Sequence, residues 1–323
     1  MTTEFDIIRK YFIQQTTNTD LGIGDDAALI SPSAGCQLAI STDASVVGTH
    51  FFSHAEPYDI GWKSLAVNIS DMAAMGATPK WATLTLTLPK ISEYWLKEFS
   101  RGFFACAKSF HVDLIGGDTT KGPLNIGVQI IGEAPTDKSL KRSGAEENQD
   151  IWVSGTLGSA ALALASINNP QFLLEDKTLF ACLKALNTPL PRVALGIALR
   201  EIATSCIDIS DGLLADLNHI LTASSNGNKK LGAIIQLEAI PCIPTIKQWL
   251  SEEIVCKALL TGGDDYELCF TASRERREAI LWLSQKMKLP LTHIGRINTS
   301  GKLTVLHKNK PMNISTLGYD HFA

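Results

Sequence analysis

Residues 81–88 read WATLTLTL, which places Ala82, Leu84, Leu86 and Leu88 on one side and Trp81, Thr83, Thr85 and Thr87 on the other. Strict alternation over this length is the pattern of a strand buried on one face. Stretches of the helical period flank it. Before it, Trp62, Leu65, Ala66, Ile69, Met72 and Ala73 fall on one stripe, which predicts a helix over 61–77. After it, a helix is expected over 93–109, then a strand in HVDLI. Further strands are expected at 37–41, ending at Thr42 and Asp43, and at 125–134 after the turn at Gly122-Pro123. A chain that changes period this often sets helices against sheet, so the class is α/β or α+β.

At 323 residues the chain exceeds the usual size of one hydrophobic core, and two domains are expected. The polar, aperiodic stretch 136–150 (TDKSLKRSGAEENQD) is the best linker, separating domains at 1–135 and 151–323. The second half repeats the alternation. It opens with the strand IWVSG and a small-residue helix over 159–167. Strands are expected at 232–237, 267–271 and 303–307, with helices after DISDG and over 274–287.

Net charge is −4 with no lysine or arginine run, which argues against a nucleic-acid or anionic-membrane binder. The seven cysteines are scattered and never spaced CxxC, as in a reducing cytosol. The N-terminus MTTEFDIIRK carries no apolar signal core, and the apolar stretch 155–167 is too short to span a bilayer. A cytoplasmic protein is expected.

Five segments pair aspartate with glycine, serine or threonine: GIGDD (22–26), STD (41–43), GGDTT (116–120), DISDG (208–212) and GGDD (262–265). Each alone reads as a turn or a helix cap. GGDTT in particular reads as a tight turn closing a strand. One cap needs one aspartate, however, and DISDG, GIGDD and GGDD each carry two. Two like charges 4 Å apart repel by about 4 kcal/mol at an effective dielectric of 20. Carboxylates gathered in one cleft therefore protonate, spread apart or bind cations, and magnesium takes oxygen ligands beside phosphate. Asp71 projects opposite the helical stripe, as a solvated charge or a cleft residue. His50 is a packed histidine or a site residue, and Arg142 a linker charge or a phosphate contact. Neither GxxxxGK[ST] nor GxGxxG is present.

Taken in order, GIGDDAALI, AISTDASVVGTHF, AVNISDMAAMGATP, LIGGDTTKGP, RSGAEENQDIWVSG, IDISDGLLADL, TGGDDYELCF and GYDHF resemble the thiamine-monophosphate kinases, within the aminoimidazole ribonucleotide synthetase-like superfamily. The resemblance covers nearly the whole chain. It implies a two-domain α/β fold whose N-terminal sheets form a barrel across a homodimer. It also implies transfer of the ATP γ-phosphate to thiamine monophosphate, several Mg²⁺ ions, and the last step of thiamine diphosphate biosynthesis. Carried over by motif, Asp26, Ser41, Thr42, Asp43, Asp71, Asp118, Asp208 and Asp211 would be magnesium ligands. Gly117, Asp118, Arg142 and Ser210 would meet ATP, and His50, Asp264 and Thr316 the thiamine substrate.

Two departures stand out. Asp264 occupies a position where related sequences often have Glu, and Thr316 one where some have Trp. Stacking on the thiazolium would then fall to Tyr319 or Phe322. Two competing readings are another synthetase of the superfamily and a non-catalytic binder of the same scaffold. A selenophosphate enzyme would carry a reactive cysteine near its N-terminus, whereas the first one here, Cys36, follows GIGDD in an apolar run.

Overall fold

The computed structural model of the chain describes residues 3–169, 171–227, 230–314 and 316–319. They fall into two units. One runs to Met72 and again from Ala77 to Lys138; the other comprises Ala73–Gly76 and Ser139–Ala323.

The first unit opens with α1 (Glu4–Tyr11), closed at its start by a capping box between Thr3 and Asp6. Then follow β1 (Cys36–Val46), α2 (Pro57–Ala74), β2 (Thr78–Leu88), α3 (Glu93–Phe110), β3 (Asp113–Lys121) and β4 (Asn125–Pro135). The strands form one open sheet in the order β1-β4-β2-β3, antiparallel except for the β2–β3 pair joined by the α3 crossover. β1 and β3 are its edges, so no closed barrel forms among the described residues. In β2 the apolar set Ala82, Leu84, Leu86 and Leu88 is buried and Thr85 exposed. Trp81 is buried too, its indole N–H donating to the Asn18 carbonyl at 2.8 Å.

Three local expectations need correcting. β1 does not end at Thr42 and Asp43; all its residues pair with β4, Asp43 opposite Val128, and it continues to Val46. GGDTT is not a turn, because Gly116–Thr120 lie inside β3. There the pairing steps from Ala82–Leu114 to Thr83–Gly116, so Ile115 is a bulge that the strand absorbs without ending. α2 starts at Pro57, since proline suits the first helical position. Gly61 is then a helix-interior residue where a side chain would stand 2.1 Å from the Phe99 carbonyl oxygen, the place where the α2 and α3 backbones touch.

The second unit contains β5 (Asp150–Ser154), α4 (Ser159–Asn168), α5 (Asp176–Asn187), α6 (Val193–Leu199), β6 (Ser205–Asp208), α7 (Leu213–Ser224) and β7 (Gly232–Gln236). It continues through α8 (Glu253–Leu260), β8 (Leu268–Ala272), α9 (Arg277–Met287), β9 (Leu291–Asn298), β10 (Leu303–His307) and β11 (Lys310–Pro311). The sheet order is β11-β10-β7-β9-β5-β8-β6, with only β10 and β7 parallel. β5 is buried along its whole length, which is why its middle, IWV, is a continuous apolar run. Ile151 and Val153 enter a core with α4, α5, α7 and α8, while Trp152 enters another with α6 and α9.

The polar stretch 136–150 is shared between the units, divided after Lys138, and Leu140 and Ala145 within it are buried. Asp150 at its end is buried at the start of β5, with Arg277 donating to both carboxylate oxygens at 2.5 and 2.9 Å. Burial pushes this carboxyl up, but Arg277, with His293 and Arg296, holds it below the usual range. No helix among the described residues is long and apolar enough to cross a membrane.

Candidate active site

In the first unit, α2 fixes the STD segment of β1 through two residues one turn apart. Ser41 Oγ donates to Asp71 Oδ2 at 2.6 Å, and the Asp43 N–H donates to Asn68 Oδ1 at 3.1 Å. Ser41 and Asp43 share a strand face, whereas Thr42 lies on the other, exposed and 3.5 Å from Gln129 Nε2. Ser41, Asp43 and Asp71 are thus brought together and the Thr42 side chain is not. Asp71 is half-buried and hydrogen-bonded, so it is not a solvated helix charge. Asn68 is absent from the residues expected from sequence. Its signal was legible, since an amide at the third position after Leu65 and the fourth before Met72 sits on the apolar stripe. His50, half-buried after β1, accepts the Val46 N–H through Nδ1 at 3.1 Å. Its remaining ring proton is therefore on Nε2.

Asp26, Gly117 and Asp118 line one cleft of about 810 Å³, with Gly24, Asp25 and Thr83. Gly117 has φ +148°, and a side chain there would stand 1.9 Å from the Leu84 carbonyl oxygen. Asp43, Val128, Leu84 and Gly117 form one row across the sheet. Three strand spacings separate its ends, about 14 Å. The STD segment and the GGDTT segment therefore stand at opposite edges of the same sheet.

In the second unit, β6 delivers Asp208, which is buried, into the loop 209–212 ahead of α7. Neither Asp208 nor Asp211 caps that helix. Its N-cap is Gly212, and Asp216 in the first turn reaches back instead. The Oδ2 atom of Asp216 accepts the N–H groups of Ser210, Asp211 and Gly212 at 3.0, 3.1 and 3.1 Å. The carbonyls of the same loop are taken by two other motifs. Tyr266 N–H donates to Ile209 O at 2.8 Å, Asp264 N–H to Ser210 O at 2.9 Å, and Tyr319 N–H to Asp211 O at 3.1 Å. Asp264 sits at φ +68°, and the Tyr266 hydroxyl donates to its Oδ1 at 2.8 Å. Its neighbour Asp265 turns to α4, accepting the Gly158 N–H at 2.9 Å. Burial pushes that carboxyl well above the usual range.

Ser210, Asp211 and Asp264 are therefore assembled by backbone contacts. Thr316 is exposed, three residues before the half-exposed Tyr319; Phe322 lies outside the described residues. Arg142 is exposed, and its carbonyl accepts from Ser224 Oγ at 3.3 Å. Ser224 ends α7, about 16 Å along the helix from the DISDG loop. The structure does not place the Arg142 backbone beside Ser210.

Burial pushes Asp216 up to about 7, and the carboxylates of Asp208 and Asp211 push the same way. A nearby cation would relieve that repulsion. The expected ligands are all oxygen donors, as hard Mg²⁺ requires. Among the described residues no three His, Cys, Asp or Glu side chains gather as a metal site. These residues have the oxygen chemistry of partial Mg²⁺ ligand sets, of the kind that phosphate and water complete.

Residues 24–134 match the family described as AIR synthase related protein, N-terminal domain. A thiamine-monophosphate kinase from Salmonella typhimurium is 40% identical over 324 aligned positions, covering 99% of this chain and 98% of the relative. Among solved structures, a thiamine-monophosphate kinase from Stenotrophomonas maltophilia superposes with a TM-score of 0.82 at 43% identity, covering 89% of this chain and 91% of that one. AaThiL complexed with AMPPCP and TMP superposes with a TM-score of 0.76 at 29% identity, covering 93% and 92%.

Proposed function

This chain belongs to the thiamine-monophosphate kinases, and from that premise we propose that it phosphorylates thiamine monophosphate with ATP, giving thiamine diphosphate and ADP. The observation that carries this reading is 40% identity to such a kinase across 99% of the chain. The AMPPCP and TMP held by AaThiL supply the two substrate classes. The reaction would be the last step of thiamine diphosphate biosynthesis, and we place it in the cytoplasm.

Phosphoryl transfer asks for positioning and charge neutralisation more than for covalent chemistry from the protein. The acceptor is already an anionic phosphate oxygen near neutral pH, so no residue is assigned as general base. That oxygen attacks the γ-phosphorus in line as the bond to ADP breaks. Asp26, Ser41, Asp43, Asp71, Asp118, Asp208 and Asp211 would hold Mg²⁺, which when bound offsets the repulsion between the two polyanions. Thr42 is proposed with them, although its side chain lies on the opposite strand face from Ser41 and Asp43. Gly117 and Ser210 would admit the ATP phosphates close to backbone, with Arg142 as a further contact. His50, Asp264 and the segment from Thr316 to Tyr319 would orient thiamine monophosphate.

We further propose a homodimer in which first-unit sheets combine into a barrel. The edge strand β1 supports this, since Leu38 and Ile40 are 39% and 60% exposed there. Incubation with ATP, Mg²⁺ and thiamine monophosphate, followed by thiochrome detection, tests the activity. Thiamine diphosphate is the expected product. ATP binding without product would leave a non-catalytic binder.

A further inference from the structure

We propose that Asp216 is a positioning residue that joins the DISDG loop, the GGDD loop and the segment ending at Tyr319 into one platform. A carboxylate that only caps a helix needs one or two N–H groups. A single oxygen of Asp216 receives three in succession, from Ser210, Asp211 and Gly212. The other edge of the same peptides faces away from Asp216 and is bound by Tyr266, Asp264 and Tyr319 through the carbonyls of Ile209, Ser210 and Asp211. With both edges of consecutive peptide groups bonded, the loop cannot turn without breaking contacts to two distant parts of the chain. The side chains of Ser210 and Asp211 take no part in those bonds.

The burial of Asp216 is consistent with this role. It is 2% exposed and lies on the apolar stripe of α7, three residues after Leu213 and four before Ile220. An unpaired carboxylate there would cost several kcal/mol, and the three loop N–H groups are what compensates it. Removing the acceptor leaves three peptide N–H groups in a partly buried loop without their partner. The Ser210 and Asp211 carbonyls then lose their fixed aim, and the amides of Asp264 and Tyr319 lose theirs with them. For catalysis the inference rests on the kinase reading above; the platform itself does not.

The test is amide hydrogen exchange together with steady-state kinetics on Asp216→Ala and Asp216→Asn. In the alanine variant the amides of Ser210, Asp211, Gly212, Asp264, Tyr266 and Tyr319 should exchange about tenfold faster or more, as a group, while those of β5 keep their protection. Its kcat/KM for thiamine monophosphate should fall by about 100-fold, the scale of an ångström of misplacement. Asp216→Asn keeps an acceptor oxygen at the same reach and should recover kcat/KM to within tenfold of the wild type. Faster exchange confined to 210–212, with Asp264 and Tyr319 unchanged, would overturn the platform, as would alanine kinetics within threefold of the wild type. If the alanine variant does not fold, Asp216→Asn decides. Near-native exchange at all six amides then supports the proposal, and separate responses at the three segments overturn it. A wild-type enzyme that makes no thiamine diphosphate would sink the kinase reading while leaving the exchange test intact.

Discussion

Gly116 and Gly117 are adjacent, identical in type and both in β3, yet the structure predicts different fates for them. At Gly117 an added Cβ would stand 1.9 Å from the Leu84 carbonyl oxygen on β2, at φ +148°. Ordinary contact begins near 3.4 Å, so β3 must retreat by roughly 1.5 Å or the backbone must leave its present conformation. The backbone strain contributes about 1–3 kcal/mol and the overlap about as much again. A loss of about 2–5 kcal/mol is expected for Gly117→Ala, lowering the melting temperature by roughly 5–15 °C. At Gly116 the nearest atom to an added Cβ is Thr83 Cγ2 at 4.0 Å, and the backbone is not in the left-handed region. Gly116→Ala should therefore shift the melting temperature by no more than about 3 °C. Because the displaced segment carries Asp118, Gly117→Ala should also cost about 100-fold in kcat/KM for ATP. Thermal unfolding by circular dichroism and initial rates on the two variants provide the measurement. Equal responses would refute the argument, because sequence alone treats the pair as equivalent.

Asp118→Asn should lower kcat by at least about 100-fold with an unchanged melting temperature, because an exposed carboxylate is lost without altering packing; near-normal turnover would remove Asp118 from the site. Arg277→Ala should destabilise the protein by about 2–4 kcal/mol at pH 7, less than a fully enclosed pair because the arginine is 43% exposed. The Asp150 carboxyl is held below its ordinary value, so its contribution is present above about pH 4 and is lost as pH falls through the folded value. Urea unfolding of both proteins should therefore show a smaller difference at pH 3 than at pH 7, and an equal difference would contradict the assignment. Ile40→Lys, on the exposed edge of β1, should convert the proposed dimer to monomer in sedimentation experiments while leaving the far-ultraviolet spectrum unchanged.

What could be read from sequence was what repeats within a few residues. The alternation of β2, the helical stripe of α2 and the run of β4 are local signals, and the elements lie close to where they were expected. GGDTT was misread because its conformation is set by a neighbour. Pairing with β2 keeps the glycines in a strand, although their composition suits a turn. Asp150 looked like the end of a polar linker because its partner Arg277 lies far along the chain. Asp216 lies on the apolar stripe of α7, and only the loop contacts give that place a meaning. The aspartate segments were legible by motif, whereas their arrangement as a strand–helix pair, a cleft and a backbone platform was not. Such arrangements depend on contacts between residues far apart in the chain.

The order of strands in the second sheet also sets a timetable for synthesis. β5 is the first strand of its unit to leave the ribosome, yet it is central, and its two neighbours are β8 and β9. Roughly 140 residues separate Ser154 from the end of β9 at Asn298. At about 5–20 residues per second this is a delay on the order of ten seconds or more. For most of that interval, until β8 is made, the mainly apolar strand IWVS has neither partner, while all four strands of the first sheet have already been made. Chaperone dependence during expression should consequently track the second unit, and slower translation downstream of β5 should lengthen its exposure.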